Sequence, residues 1–142
     1  MSEGISTLTD AELRRRIAER KGWHSLEIRQ EFIGRPWEPP TEDVYGIPLP
    51  EMSRGDHDDM YTVKNLWNVP HWTSDSGAAL IELTRLGGAQ GVAINIERTP
   101  ENSFAVGVEF RHSGGIFSDI VQASKLARAL AELLLTALEA QA

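Results

Sequence analysis

The chain reads as an α+β protein, with one three-stranded, mainly antiparallel sheet flanked by three helices and a long irregular loop. Three observations predict this. Residues 10–21, 74–86 and 123–140 carry apolar side chains at helical spacing, the 3.6-residue signature of amphipathic helices. Residues 91–98 and 103–111 alternate apolar and polar side chains on either side of Thr99-Pro100-Glu101-Asn102, the two-residue signature of a hairpin. Between residues 33 and 68 no period persists, and proline and glycine recur. The expected order is helix, strand, long loop, helix, strand, strand, helix, in a single domain over residues 1–142.

The first helix is predicted over Asp10–Lys21. Thr9 and Glu12 match a capping box, and Leu8 and Leu13 fill the two positions of a hydrophobic staple. Leu13 and Ile17 form a short apolar stripe among Arg14, Arg15 and Arg16, and Gly22 suits the left-handed residue after the helix. A strand follows from Trp23 to Phe32. There Leu26, Ile28 and Gln30 alternate with Ser25, Glu27, Arg29 and Glu31.

The segment from Ile33 to Asn68 holds Gly34, Pro36, Pro39, Pro40, Gly46, Pro48, Pro50 and Gly55, and an acidic knot at Asp56-His57-Asp58-Asp59. Irregular segments of this length are uncommon in compact domains. Trp37, Tyr45, Tyr61 and Trp67 are too many aromatics for a freely solvated tail. The loop is expected to pack at its ends, near Trp37 and Trp67, with Met60–Trp67 able to form a short strand.

Thr73 and Ser74 are good N-cap residues, and Asp75 places a carboxylate in the first turn of the next helix. Ala79, Leu80, Leu83 and Leu86 share its apolar face, and Gly87-Gly88 ends it. In the hairpin, Val92, Ile94 and Ile96 face Phe104, Val106, Val108 and Phe110, and His112-Ser113-Gly114-Gly115 breaks the pattern. The last helix, over 123–140, has a broad stripe of Leu126, Ala127, Leu130, Leu133, Leu134, Ala137 and Leu138, widened by Ala131 and Leu135. A face so wide is expected to cover the sheet and leave a strip for a second copy of the chain.

Composition narrows the function classes. The chain has 142 residues, 14 Lys and Arg against 21 Asp and Glu, a net charge of -7, and no cysteine. The charge repels long nucleic acid and anionic lipid at long range, and the lack of cysteine rules out disulfides and thiolate chemistry. No apolar run approaches the roughly 18 residues of a membrane span. Met1-Ser2-Glu3-Gly4 lacks the features of a signal peptide. A cytoplasmic protein is expected.

The run Pro70-His71-Trp72-Thr73-Ser74-Asp75-Ser76-Gly77-Ala78-Ala79 resembles the central motif of the phage ABA-sandwich domain proteins. That motif reads roughly as Pro, any residue, an aromatic, Ser-Thr-Asp, two free positions, then Ala-Ala and a helix. Gly22-Trp23, Pro36-Trp37, the late hairpin and the Ala/Leu-rich last helix are similar to that family as well. The chain departs from it in the order Thr73-Ser74 and in a longer loop over 38–66. The resemblance implies a small phage or prophage protein, with no established catalytic apparatus, in the cytoplasm of a bacterial host.

The candidate ligand site is the helix start. Free amides at a helix N-terminus bind anions. Thr73, Ser74 and Ser76 sit there with His71 and Trp72. Trp37, Trp67 or Trp72 could stack on a base, and Lys64, Arg54 or Arg111 could contact a phosphate. Capping and core packing alone also explain these residues, and that plainer account is the weightier one. Asp56, His57, Asp58 and Asp59 suit a divalent metal in residue type but lack a metal-binding spacing, so no metal and no cofactor is expected. No Gly-x-Ser-x-Gly nucleophile elbow is present. Gly87-Gly88-Ala89-Gln90-Gly91 lacks the Lys-Ser/Thr of a phosphate loop.

The leading expectation is therefore a non-enzymatic phage accessory protein. It would bind a small molecule of nucleotide type, as a homo-oligomer that sequesters a host immune signal. One alternative is an acidic adaptor that inhibits a host protein through the loop 38–59. The other is a hydrolase of a nucleotide signal, with His57 or His71 as base.

Overall fold

The computed structural model describes residues 2–31, 34, 37, 39–48, 66–112 and 114–141. Among these, four helices and six strands follow in order: α1 (Ser2–Ser6), α2 (Asp10–Arg20), β1 (His24–Glu31), β2 (Thr41–Ile47), β3 (Trp67–Asn68), α3 (Ser76–Arg85), β4 (Ala93–Arg98), β5 (Phe104–His112), β6 (Gly115–Ala123) and α4 (Leu126–Gln141). The α+β class holds. The single sheet with three flanking helices does not: the strands form two antiparallel three-stranded sheets, β1-β2-β3 and β4-β5-β6. The helices pack between them, α2 against the first sheet and α4 against the second, and both α2 and α3 pack on α4.

The local signals of α2 act as expected. Thr9 Oγ1 accepts from the Glu12 amide at 3.1 Å, and Glu12 Oε1 accepts from the Thr9 amide at 2.9 Å, closing the capping box. These bonds hold the Glu12 carboxyl below its usual range. Leu13 is fully buried, Leu8 packs against the core, and Gly22 takes φ 96° just past the helix. The first strand forms from His24 rather than Trp23, with a bulge between His24 and Glu27 where Ser25 has φ 55°.

The first sheet contains a strand within the stretch expected to be irregular. β2 pairs with β1 through Ile28↔Val44 and with β3 through Gly46↔Trp67. Its inward alternation is masked in the sequence because the core position after Val44 is a glycine. Leu26 occupies the space a side chain would take: a Cβ on Gly46 would lie 2.5 Å from Leu26 Cδ2. The other unforeseen strand, β6, pairs along the whole of β5 from Phe104↔Ala123 to His112↔Gly115. Phe117 and Val121 point to the core, while Ile116 and Ile120 stand 60% and 71% exposed on the open face. Apolar residues on both faces erase the two-residue period.

Helix α4 is the centre of the molecule. Leu130, Ala131, Leu133, Leu134, Leu135 and Ala137 are all buried. Burial of each leucine side chain contributes about 1.5–3 kcal/mol. The strip at Ala131 and Leu135, expected to be left for a second copy, is covered within the chain because α2 and α3 both lie on α4. Leu134→Ala should therefore lower the unfolding free energy by about 2–5 kcal/mol in a urea melt. Ile81→Ala, at a position 54% exposed on α3, should stay within about 0.5 kcal/mol of the parent. Equal small effects would contradict a central α4.

Candidate functional site

The segment between β3 and α3 is fastened from both sides. Val69 and Trp72 are fully buried, so the backbone is pinned at two points three residues apart. Arg14 of α2, 4% exposed, supplies the polar half of the clamp. Its Nε donates to the Pro70 carbonyl at 3.1 Å, its Nη2 donates to the Val69 carbonyl, and its Nη1 lies 2.8 Å from Asp43 Oδ1. A planar guanidinium with a fork of donors suits this task, and an ammonium does not. His71 is exposed, with Nε2 3.5 Å from Asp43 Oδ2.

The turn then closes on itself. The His71 carbonyl accepts from the amides of Ser74, at 3.1 Å, and Asp75, at 2.8 Å. The helix cap is Asp75 rather than Thr73 or Ser74: Asp75 Oδ1 accepts from the Ala78 amide at 3.1 Å. The helix accordingly begins at Ser76, two residues later than the hydroxyl pair suggested. With Asp75 as cap, the hydroxyls of Thr73, Ser74 and Ser76 are left for other partners.

These three residues line one wall of a cavity of about 720 Å³. The opposite wall is the junction of β6 with α4, where Gln122, Ser124, Lys125 and Ala127 face the space. Ser6, Leu8 and Asp10, from the end of α1 and the start of α2, close the floor together with Arg128 and Glu132 of α4. Thr73 is only 5% exposed, and its hydroxyl has no hydrogen-bond partner among the described residues.

The charges in the floor are paired. Arg128 Nε donates to Glu132 Oε2 at 2.7 Å and Nη1 to Asp10 Oδ1 at 2.7 Å. Its Nη2 donates to the carbonyls of Leu8, at 2.7 Å, and Ile5, at 3.2 Å. Burial opposes the guanidinium charge, but Glu132 and Asp10 outweigh it and hold the Arg128 pKa above its usual value. Arg128 thus ties α1 and α2 to α4 and shapes the cavity. Lys125, by contrast, is exposed and makes no ion pair among the described residues.

The residues singled out from the sequence separate into groups. Thr73, Ser74 and Ser76 come together on the cavity. Trp72 is 1% exposed and belongs to the hydrophobic core. Trp67 is half-buried on β3, and Trp37 is 76% exposed. None of these indoles lines the cavity. His71 faces Asp43 instead. Arg111 lines a separate depression of about 420 Å³ on the open face of the second sheet, with Glu109 and Ile116. Lys64, Arg54 and Asp56-His57-Asp58-Asp59 lie outside the described residues.

Sequence reasoning missed Ser124, Lys125 and Arg128. Extending the last helix back to Ala123 concealed them, although a serine just ahead of an apolar helical period is a start signal. Among the described residues no group of three or more His, Asp or Glu side chains is placed to hold a metal ion. Compared with known proteins, the chain matches no family model and no curated protein.

Asp43 gives the clamp a pH dependence. Partial burial pushes its carboxyl up, but hydrogen bonds from Asn68, Arg14 and the Val44 amide, with the Arg14 charge, pull it below the usual range. The folded state thus favours the ionised form. Its contribution is fully present above the unfolded value of about 3.9 and is lost as pH falls through the lower folded value. Urea midpoints between pH 5 and pH 2.5 should fall less steeply for Asp43→Asn than for the parent chain. Parallel slopes would remove Asp43 from the account.

Proposed function

We propose that the protein binds a small polar ligand without chemical turnover, in the cavity between the start of α3 and the start of α4. The observation that carries this reading is a cluster of hydroxyls, those of Thr73, Ser74 and Ser76, with no hydrogen-bond partner among the described residues, on the wall of a hollow large enough for a small metabolite. Hydroxyls grouped on a concave surface can donate to and accept from a polar ligand, which fixes its orientation. The serines that share the cavity have no histidine beside them among the described residues that line it. A hydroxyl nucleophile without an adjacent base is weak, which favours binding over hydrolysis.

The narrower form of the proposal follows the resemblance of residues 70–79. It is a phage accessory protein that sequesters a nucleotide-derived host signal in the cytoplasm. What supports it is that three residues of that motif, Thr73, Ser74 and Ser76, meet on the cavity. Base stacking on the indoles is not part of this form, since recognition would rest on hydroxyls, amides and Lys125. The proposal retains a homo-oligomer, with its seam on the open face of the second sheet at Ile116 and Ile120, because α4 is already covered.

Native mass spectrometry of the purified protein tests these points together. A mass above that of the polypeptide, with the extra molecule released intact by heat, is the expected result. A released molecule that had been cleaved would replace binding with turnover. Bare protein, together with no heat on titration with a panel of nucleotides and nucleosides, would end the ligand reading. In the same spectra Ile120→Lys should shift any oligomer to a single chain.

A further inference from the structure

Resting on the binding reading above, we infer that the cavity takes its ligand by a phosphate group, seated on the first turn of α4 rather than on that of α3. The two helix starts on the cavity are not equivalent. α3 carries its own carboxylate cap, Asp75, bonded to the Ala78 amide, so a second anion there meets a negative charge. α4 is a helix of 16 residues whose first intrahelical amide bond runs from Ala129 to the Lys125 carbonyl at 3.1 Å. The amides of Leu126, Ala127 and Arg128 precede it, and no side chain caps them among the described residues. Ala127 is nevertheless 8% exposed. A helix end left uncapped on the wall of a cavity is a gap that a ligand can fill.

The side-chain charges on the cavity cancel. Asp10 and Glu132 contribute two negative charges, and Arg128 and Lys125 two positive ones. The α4 terminus then sets the sign, with about half a positive charge at its amides. Arg128 is fully engaged by its two carboxylates and two carbonyls, which leaves Lys125 as the mobile cation for the anion. Thr73 is the second and independent sign of a ligand: the residue is 95% buried, it lines the cavity, and its hydroxyl, with no partner among the described residues, can donate to a phosphate oxygen. Ser124, Ser74 and Ser76 add hydroxyl donors around the same space. Carboxylate, with two oxygens in a plane, uses such a surround less fully than a tetrahedral phosphate with three. At about 720 Å³ the cavity also exceeds a phosphate ion alone, so the group is expected to carry a polar body of monosaccharide or nucleoside size.

Titrations with inorganic phosphate, ribose 5-phosphate and ribose test this on the whole chain. Ribose 5-phosphate should bind at least tenfold more tightly than ribose and more tightly than inorganic phosphate. In ¹⁵N-edited spectra the amides of Leu126, Ala127 and Arg128 should move first. Lys125→Glu, at an exposed position, should reduce the ribose 5-phosphate affinity tenfold or more. Thr73→Val should weaken it, and Thr73→Ser should restore it. Equal binding of ribose and ribose 5-phosphate, or of nucleosides and their phosphates, overturns the phosphate anchor and leaves the cavity as a ligand site. Phosphate-dependent binding that moves the α3 amides, or that survives Lys125→Glu unchanged, overturns the assignment to α4. Absence of binding by every probe, with bare protein in the native mass spectrum, removes both readings.

Discussion

A helix buried on every side through its middle turns has to be covered all round, and α4 imposes that constraint on the whole chain. Its buried positions, Ala129 to Leu135 and Ala137, run round the axis rather than along one stripe. A single three-stranded sheet covers one side of such a helix. The second sheet takes that side, and α2 and α3 take the others. The first sheet then packs on the far side of α2. The layer order of sheet, helices, sheet thus follows from the need to cover the 16 residues of α4 on every side.

Two buried or half-buried arginines convert that apolar arrangement into a defined shape. Arg14 grips the carbonyls of Val69 and Pro70 from α2, and Arg128 grips those of Ile5 and Leu8 from α4. In both cases one guanidinium donates to backbone carbonyls in a connecting segment or at a helix end and pairs with a carboxylate from another element. Backbone carbonyls in such segments have no ladder partner, and leaving them unpaired inside the molecule is costly. The arginines remove that cost. In doing so they fix the segment before α3 and the segment before α2, which are two of the three walls of the cavity.

What the sequence made legible was periodic or local. The capping box at Thr9 and Glu12, the glycine after α2, the pairing of β4 with β5 and the existence of α4 each depend on residues close in the chain. The structure places them as read, within one to three residues at the ends. The unread elements depend on partners far away. β2 looks irregular because Leu26, from the neighbouring strand, fills the place of a side chain at Gly46. β6 looks unlike a strand because its open face carries isoleucines. The cavity was half legible: cap chemistry drew attention to Thr73, Ser74 and Ser76, but nothing local says that Ser124 and Lys125 face them across a sequence gap of some fifty residues.

Trp72 shows why the aromatic signal pointed to the wrong property. An indole beside a helix start reads as a stacking surface when only its neighbours in sequence are known. In the fold the ring is enclosed with Val69 in the core, and its effect is to hold the turn that follows. The turn, not the ring, presents hydroxyls to the cavity. The same logic bears on the overall charge of -7. That field opposes the approach of an anion at long range, yet it decays over about 8–10 Å in physiological salt. On the cavity lining the side-chain charges of Asp10, Glu132, Lys125 and Arg128 cancel, and the start of α4 remains. On the phosphate proposal, an acidic protein with such a pocket would admit small anions that can enter it and repel long polyanions that cannot.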